Sequence, residues 1–519
     1  MRLRIDARED PRTLGLLRIG LGICLFGDIA SLLPHAAYLY GDAGIAPAAL
    51  VCGEPLRWLS LMCQLPGEGW SLAILGLGSV AALLLTVGLW TRVSKWICFA
   101  VLLAVVLRNM APIAGQQVFG NFLFLLCLSR CGAAYSIDNL RRCRRLRAAG
   151  RLDDGDEAHA TYRPIAAWPR WLMILQLTLA YGVAGWVKTG QSYVDGTSFF
   201  NLLSEGRWSR VPMWGVLRLF GDNLMRLATW TAWWFERLFP LVTLGLLLRR
   251  FAPGLPRWLL WPTSRWIWAP LSLVFTGCLV VLANLGWFVP ATAVATVVLF
   301  RGEEVGRVVE RLRRRSFTPG VSAPALAGWP RWLRAALVVF VGWHGGAMII
   351  NALSFERTRL EVPKALRRAT HTYGRVTNTY QFWRMFAPNA PGFRYRLDID
   401  VIDRDGGVHP SRDDRSVVDA RRAPYVLIDR REKVHRKILG KEPLWRERHA
   451  AYLCRTWRGA DGRAPAEIVF RRRSGPTPSP WDLATIPAGE EEAWIRRAAR
   501  AHELLRYPCD PEEPGGSDR

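Results

Sequence analysis

The sequence lacks the short motifs that usually identify a soluble catalytic centre. It contains no GxSxG, no P-loop, no HExxH and no GxGxxG. Its ten cysteines include no CxxC pair and show no metal-ligand spacing. These absences argue against the hydrolases, NTPases, zinc peptidases and dinucleotide-binding enzymes that such motifs define. No internal repeat is visible either.

Acidic residues are scarce relative to basic ones. The chain has 43 Asp and Glu against 69 Lys and Arg, for a net charge of +26. The basic residues are spread along connectors and the C-terminal region, and no nucleic-acid-binding module is recognisable. Membrane topology and anionic lipid headgroups account for much of this charge, so no nucleic-acid partner is expected.

No cleavable signal peptide is expected, since the first apolar run is too long and too polar-flanked for one. Cys52 and Cys63 share one loop and could pair if that loop faces an oxidising compartment. The cysteines of the apolar blocks, and Cys454, are expected to pack as small residues. Those in the blocks are Cys24, Cys98, Cys127 and Cys278.

Hydrophobic residues make up 50% of the chain and cluster into blocks of membrane length. Many of the 25 tryptophans lie at block ends, as is typical of a bilayer interface. We predict eight or nine transmembrane helices, depending on whether Gly286 forms a hairpin or a kink. The predicted spans are Leu14–Leu33, Ser71–Trp90, Trp96–Pro112, Val118–Tyr135, Trp171–Lys188, Leu227–Leu248, Trp266–Leu285, Trp287–Phe300 and Ala335–Leu353.

Every second connector is rich in arginine, beginning with the N-terminus and including the segments RRCRRLRAAGR and RVVERLRRR. The positive-inside rule places these connectors in the cytoplasm. With nine spans the C-terminal region lies outside the cytoplasm, whereas with eight it lies inside. We predict nine, in a multi-pass protein of the inner membrane with a cytoplasmic N-terminus.

The chain changes character after the last apolar block. We predict a transmembrane domain over 1–353, a soluble α+β domain over 354–507 and a disordered tail over 508–519. Phe393–Ile402 and Tyr425–Ile428 have the pattern of strands, and Asp403–Gly407 has that of a hairpin turn. Helices are predicted over Leu444–Trp457 and Glu490–Arg506. The fold class is therefore a polytopic α-helical membrane protein with a small C-terminal α+β domain.

An ionisable residue, Lys188, lies near the end of the fifth apolar block. A buried charge in a membrane span is costly and is a site hypothesis by default. The alternative is a lysine that snorkels to the headgroups. We predict that the side chain faces the bundle interior, because Gly182, Ala184 and Gly185 precede it and small residues suit close helix packing.

Several stretches, taken in order, resemble the horizontally transferred transmembrane (HTTM) domain family, to which the vitamin K-dependent gamma-carboxylase is related. They cover about residues 13–400. The stretches are Leu17-Arg-Ile-Gly-Leu-Gly22 with Asp28, Tyr40-Gly-Asp-Ala-Gly44, Gly88-Leu-Trp-Thr-Arg92, Asn109-Met-Ala-Pro112 with Tyr135-Ser-Ile-Asp138, Tyr181-Gly-Val-Ala-Gly-Trp-Val-Lys188 with Tyr193-Val-Asp-Gly196, and Trp383-Arg-Met-Phe-Ala-Pro388.

The resemblance implies that Lys188 is the base that deprotonates a reduced vitamin K, after which a glutamate side chain is carboxylated. Its cofactor would be a reduced quinone such as vitamin K hydroquinone. The chain departs from the carboxylase in having no histidine between His35 and His159. It offers hydrogen-bonding groups in that region instead, at Gln116, Gln117 and Asn121.

Other charged residues in the apolar blocks are candidates for the same site. Asp28, Arg108, Gln117 and Glu236 are predicted to bind substrate, and three of them are expected to converge with Lys188 on one cavity near the outer leaflet. Of Glu236 and Arg237, one should point into the bundle. Two residues have more ordinary interpretations: Arg18 either snorkels or finds a partner, and His344 is expected to be a packed histidine.

Two functions from different classes remain open. The first is a carboxylase-like or quinol-dependent redox enzyme that binds a quinone-like or lipid-like molecule in an intramembrane cavity. The second is a non-catalytic scaffold that presents its C-terminal domain to a protein partner. The groups that surround the Lys188 amine discriminate between them.

Overall fold

The computed structural model describes residues 7–108, 114–150, 162–204, 209–210, 213–314, 330–354, 361–390, 392–411, 431–440, 443–477, 482, 485–487 and 490–509. Over these ranges the chain is mostly helical. Strands form one short pair near the start and a four-stranded sheet near the end. A helical body followed by a smaller α+β region is therefore confirmed.

The helices are listed here in chain order. In the first half they are α1 Arg12–Ala30, α2 Ala36–Tyr40, α3 Ala48–Val51, α4 Leu61–Gln64, α5 Glu68–Val87, α6 Thr91–Arg108, α7 Ala114–Leu128, α8 Ile137–Ala148, α9 Trp168–Trp186, α10 Gln191–Val194 and α11 Ser198–Ser204. In the second half they are α12 Met213–Leu238, α13 Pro240–Phe251, α14 Arg257–Leu260, α15 Arg265–Leu282, α16 Phe288–Ala295, α17 Gly302–Leu312, α18 Arg331–Leu353, α19 Lys364–Val376, α20 Arg431–Leu439, α21 Pro443–Thr456 and α22 Glu491–Ala498.

Four helical stretches are long and apolar enough to cross a membrane. Two shorter apolar stretches accompany them, Gly115–Leu128 and Phe288–Leu299. Helices also form at the other predicted spans, where they bury polar side chains such as Lys95, Gln176 and Glu236. The four long stretches are Arg12–Tyr40, Glu68–Val87, Arg257–Leu282 and Arg331–Leu353.

Helix α1 is enclosed by other elements because its glycines allow close approach. A Cβ atom on Gly27 would lie 1.9 Å from the Trp287 ring, and one on Gly22 would lie 2.4 Å from Oγ1 of Thr86. Arg18 of the same helix is fully buried and donates hydrogen bonds to the carbonyls of Leu85 (2.7 Å) and Tyr135 (2.6 Å). The snorkelling interpretation of Arg18 is therefore wrong, since interior carbonyls satisfy its guanidinium.

The chain reverses direction between α15 and α16. Gly286 has a positive φ of 64°, a conformation that glycine adopts without strain. The elements on either side of the turn pack together: Oγ of Ser272 in α15 is hydrogen-bonded to Oγ1 of Thr296, just after α16 (2.9 Å). Of the two alternatives for Gly286, the hairpin is the one observed.

The C-terminal sheet is antiparallel, with strand order β4-β3-β5-β6. The predicted strand Phe393–Ile402 is confirmed as β3, and the predicted turn joins it to β4, Val408–Pro410. The helix predicted over Leu444–Trp457 is confirmed as α21. The other strands are β1 Arg8–Glu9, β2 Ile165–Ala166, β5 Glu467–Pro476 and β6 Arg500–Pro508.

The prediction of one helix over Glu490–Arg506 is wrong. Helix α22 ends at Ala498, and the chain then pairs with β5 as strand β6. Backbone hydrogen bonds to a neighbouring strand outweigh local helix propensity here. The predicted strand Tyr425–Ile428 lies outside the described residues.

The cysteines form two disulfides in the described chain. Cys52 pairs with Cys63, a pairing that the sequence had left open. Cys454 pairs with Cys509, so its expected role as a simple packing residue is wrong. Strand β6 reaches Pro508 and Cys509 is cross-linked, so these two residues of the predicted tail are ordered; 510–519 lie outside the described residues. Cys278 is exposed, whereas Cys24, Cys98 and Cys127 are buried as expected.

The C-terminal domain packs on the connector between α1 and α5. The hydroxyl of Tyr38 is hydrogen-bonded to Nδ1 of His449 (3.1 Å), and both side chains are buried. Arg455 donates to the carbonyls of Ala43 and Gly44 (3.3 Å each). The domain therefore lies at the same end of the bundle as this connector.

Candidate functional site: a cavity lined by Lys188 and Glu236

Helix α9 ends against α12, and that contact places Lys188. The last carbonyls of a helix lack partners within the helix. Here the carbonyls of Gly185 and Lys188 both accept hydrogen bonds from the guanidinium of Arg237 (3.1 and 3.2 Å). The indole of Trp233 also donates to the Lys188 carbonyl (2.8 Å). Side chains of α12 thus cap α9 and fix the residue that follows it.

Glycine allows the two helices to meet. A Cβ atom on Gly185 would lie 2.5 Å from the backbone nitrogen of Arg237 and 2.9 Å from Cβ of Glu236. Such distances are shorter than van der Waals contact. The absence of a side chain at Gly185 therefore lets α12 bring its carboxylate to Lys188.

The amine of Lys188 donates to a carboxylate oxygen of Glu236, forming a buried ion pair. The two side chains are 11% and 9% exposed. The predicted inward orientation of Lys188 is therefore confirmed, and the snorkelling interpretation is wrong. Of the neighbouring charges Glu236 and Arg237, it is Glu236 that points into the bundle, whereas Arg237 stacks over the Trp233 ring at 3.8 Å.

An aromatic side chain flanks the ion pair. The ring centre of Tyr193 lies 5.7 Å from the Lys188 amine, and its hydroxyl donates to the carbonyl of Phe386 (2.8 Å). The pKa of Tyr193 is raised, mainly by burial and to a smaller extent by the negative charge of the nearby Glu236. Its phenol therefore remains protonated and acts as a hydrogen-bond donor.

The ion pair forms part of the wall of a cavity between α9, α12, α15 and α16. About 970 Å³ of this space is free of protein atoms, its open part included, and about 100 Å³ is wide enough for the centre of a water molecule. The cavity is therefore a narrow cleft. Its other lining side chains are mostly apolar or aromatic, among them Tyr181, Phe199, Leu202, Trp233, Phe275, Leu279, Phe288, Trp383 and Phe386.

A chain of hydrogen-bonded hydroxyl groups lies beside the cavity. Tyr181 is hydrogen-bonded to Ser272 (3.1 Å), which is in turn bonded to Thr296 (2.9 Å). Thr276 and Thr292 also line the cavity, and each hydroxyl bonds to a carbonyl of its own helix. All of these hydroxyl groups are neutral, in contrast to the Lys188–Glu236 pair.

The segment after α19 returns to the bundle and closes one side of the cavity with Trp383, Met385, Phe386 and Ala390. A buried polar cluster anchors it. Gln381 exchanges hydrogen bonds with Gln176 (2.7 and 2.8 Å) and donates to Asn121 (2.9 Å). The Trp383 indole donates to Gln381 (2.5 Å). The sequence analysis missed both glutamines, although Gln176 lies inside an apolar helix, where an amide signals a buried partner.

The remaining predicted site residues do not line this cavity. Gln117 donates to the Tyr380 carbonyl (2.9 Å), so it supports the returning segment. Asp28 and Arg108 are each 1% exposed, and Arg108 donates to the Tyr40 carbonyl (3.4 Å). The predicted convergence is therefore confirmed for Lys188 and Glu236 and is wrong for Asp28 and Arg108.

His344 is buried against Phe340 and hydrogen-bonded to the Tyr373 hydroxyl (2.9 Å), as expected of a packed histidine. Among the residues that the structure describes, no group of three His, Cys, Asp or Glu side chains could hold a metal ion. No protein-family model, curated protein or solved structure matches the chain. The case for a function therefore comes from the cavity and from the motifs of the sequence.

Proposed function

We propose that this chain is a polytopic inner-membrane protein whose cavity binds a quinone-like or lipid-like molecule, with the Lys188–Glu236 pair as its acid–base unit. The observation that carries the proposal is a buried ion pair in the wall of an otherwise neutral, mostly apolar cleft. A desolvated charge pair is expensive to maintain and gives little net stability. Buried ionisable groups in the wall of a cleft are accordingly candidates for function.

Nine membrane crossings are part of the proposal. The crossings are α1, α5, α6, α7, α9, α12 with α13, α15, α16 and α18. The hairpin at Gly286 supports counting α15 and α16 as two passes. Helix α16 and its continuation are short, but they are buried against protein, where backbone groups are satisfied without lipid.

The proposed orientation puts the C-terminal domain outside the cytoplasm. The domain packs on the first connector, which alternation of the basic connectors assigns to the outer side. Both disulfides lie in these two regions. Disulfides are typical of oxidising compartments, so their location favours the periplasmic side.

The cavity suits a reduced quinone better than a fully polar substrate. Aromatic and aliphatic side chains can pack on a ring or an isoprenoid chain, and a ring hydroxyl can bond to the pair. A bound quinol would supply an ionisable hydroxyl. In the ion pair the amine is an ammonium without a lone pair, so the Glu236 carboxylate would accept the proton of the quinol hydroxyl while the Lys188 ammonium stays beside the oxyanion that is left.

The resemblance to the HTTM family gives this chemistry a direction. It aligns Lys188 with the lysine base of the vitamin K-dependent carboxylase, and we extend the role to Glu236. Gamma-carboxylation of a glutamate side chain is a more specific form of this proposal. The chain has no histidine between His35 and His159, so any proton relay there would use other groups.

The test is quinol-dependent oxygen uptake by the full-length protein in proteoliposomes. Lys188→Met combined with Glu236→Gln removes both charges together. We expect this variant to lower uptake by about 100-fold or more, the usual range for loss of acid–base catalysis. The matched control is Lys364→Met with Glu361→Gln, the same exchanges at exposed positions. Wild-type uptake in the first variant, with an unchanged melting temperature, would favour the scaffold function.

A further inference from the structure

A second cavity lies at the opposite end of the bundle, beside the basic helix α8. About 780 Å³ of it is free of protein atoms, and about 320 Å³ is wide enough for the centre of a water molecule. It is thus broader than the Lys188 cleft. Its lining comes from α1, the end of α5, the start of α8 and α17: Leu16, Ile19, Val87, Tyr135, Leu140 and Arg313.

One wall of this second cavity is apolar and lies on membrane-spanning helices. Leu16 and Ile19 of α1 are half-buried, and Val87 at the end of α5 is 47% exposed. Leu140 of α8 is exposed as well. Such a wall is open towards the acyl region of a bilayer, so it can contact a lipid chain.

Tyr135 also lines the cavity, and its side chain carries a hydroxyl group. The Tyr135 hydroxyl is buried and has no hydrogen-bond partner among the described residues. Burial raises the pKa of Tyr135 to about 12, so the phenol keeps its proton. The buried Arg18 fixes this residue by donating to its carbonyl. A hydrogen-bond acceptor on a ligand would give this hydroxyl the partner that it lacks.

A cation stands at the mouth of the cavity. The guanidinium carbon of Arg313 lies 5.8 Å from the ring centre of Tyr135. Within the described part of the chain no carboxylate forms an ion pair with Arg313; Glu310, one turn earlier, is buried and does not line the cavity. Other exposed arginines lie on α8 and α17 or just after α17: Arg141, Arg144, Arg145, Arg311 and Arg314.

We infer that this cavity binds one anionic phospholipid of the cytoplasmic leaflet. Its phosphate would accept from the Tyr135 hydroxyl and from Arg313, and an acyl chain would lie along Leu16, Ile19 and Val87. The basic surroundings select negative charge, and the apolar wall requires a chain-bearing ligand. The inference depends on the membrane location of the protein and not on the role of Lys188.

The experiment is native mass spectrometry of the full-length protein titrated in detergent with phosphatidylglycerol, with phosphatidylcholine or with glycerol phosphate. We expect one phosphatidylglycerol to bind in preference to phosphatidylcholine. Arg313→Gln should weaken that binding roughly fivefold, the effect of one basic residue at a lipid surface. Tyr135→Phe should weaken it as well. Arg311→Gln, an exposed arginine of α17 outside the cavity, should change it less than twofold.

Three outcomes would overturn the inference. Equal binding of both phospholipids would show that charge is not recognised. Equal losses of phosphatidylglycerol binding in the Arg311 and Arg313 variants would show that the basic surface attracts the lipid as a whole, without a specific site. Binding of glycerol phosphate as tight as that of phosphatidylglycerol would mean that the cavity holds a phosphate without its lipid. Melting temperatures of the variants, measured in parallel, show that they are folded.

Discussion

At the scale of single residues, Lys188 and Glu236 depend on one another. Within the described chain, each forms an ion pair with the other alone, and both are withdrawn from solvent. Removing one member of a buried pair leaves the second charge without compensation, whereas replacing both removes the problem. The sequence predicted that both residues reach one cavity, but not that they pair. In the structure, Glu236 pairs with Lys188 from a position 48 residues further along the chain.

Lys188→Ala should therefore lower the free energy of unfolding by about 3 kcal/mol or more. Adding Glu236→Leu should restore most of that loss, because the orphaned carboxylate is gone. Thermal unfolding in detergent, followed by tryptophan fluorescence, measures both effects. Lys364→Ala, at an exposed position, is the control and should leave stability within about 0.5 kcal/mol of wild type. A double variant no more stable than the single one would contradict a mutual dependence.

The sequence could predict some of this site and not the rest. Lys188 and Glu236 stand out because charged residues interrupt apolar helices. Their pairing, and the separation of Asp28 and Arg108 from them, depend on which helices are neighbours. One sequence carries no such information. The capping role of Arg237 and the insertion of Gln381 depend on contacts between distant segments for the same reason.

At the scale of elements, close approach of α9 and α12 makes the site. The position of Gly182, Ala184 and Gly185 at the end of α9 did predict a packed helix face. Gly185 proves to be the point of nearest approach, where backbone atoms of α12 occupy the space of a side chain. Helix ends were harder to predict, as β6 shows, because strand pairing decided its structure.

Gly185→Ala should separate α9 from α12 and destabilise the protein by about 1–3 kcal/mol, the usual cost of overpacking. Gly342→Ala in α18 is the matched control, since nothing lies within 4 Å of the added atom. The control should be neutral or stabilising by up to about 1 kcal/mol, because alanine favours a helix more than glycine does. Both are measured by thermal unfolding. A Gly185 variant that melts like the control would mean that the helices have room to spare.

At the scale of the whole molecule, the orientation in the membrane governs what each surface can meet. Alternating arginine-rich connectors predict it, and the contact of the C-terminal domain with the first connector supports it. The two proposed ligand sites then lie near opposite leaflets. The sequence predicted a cavity at Lys188 and Glu236 but not its full lining, and it did not indicate the second cavity, because both are built by helices distant in the chain.

A reporter that is active only in the cytoplasm tests this orientation. Fused after Arg314, it should be active, because α17 lies on the basic side. Fused after Ser354, at the end of α18, it should be silent. Immunoblots should show comparable expression of the two fusions, so that a lack of activity at Ser354 reports the location of the reporter and not a lack of protein. Strong activity at Ser354 would refute nine crossings and favour eight.

The occupancy of the Lys188 cavity is the central claim, and photo-crosslinking tests it most directly. A photoreactive quinone is added to the full-length protein in nanodiscs, and labelled peptides are sequenced by mass spectrometry. We predict labels within 180–202, 229–236 and 383–390, removed by excess unlabelled quinone and reduced by Ala184→Trp, which fills the cavity. Labels scattered over the exposed apolar helix surfaces, around Leu273 and Val274 for example, and insensitive to competition would contradict the account.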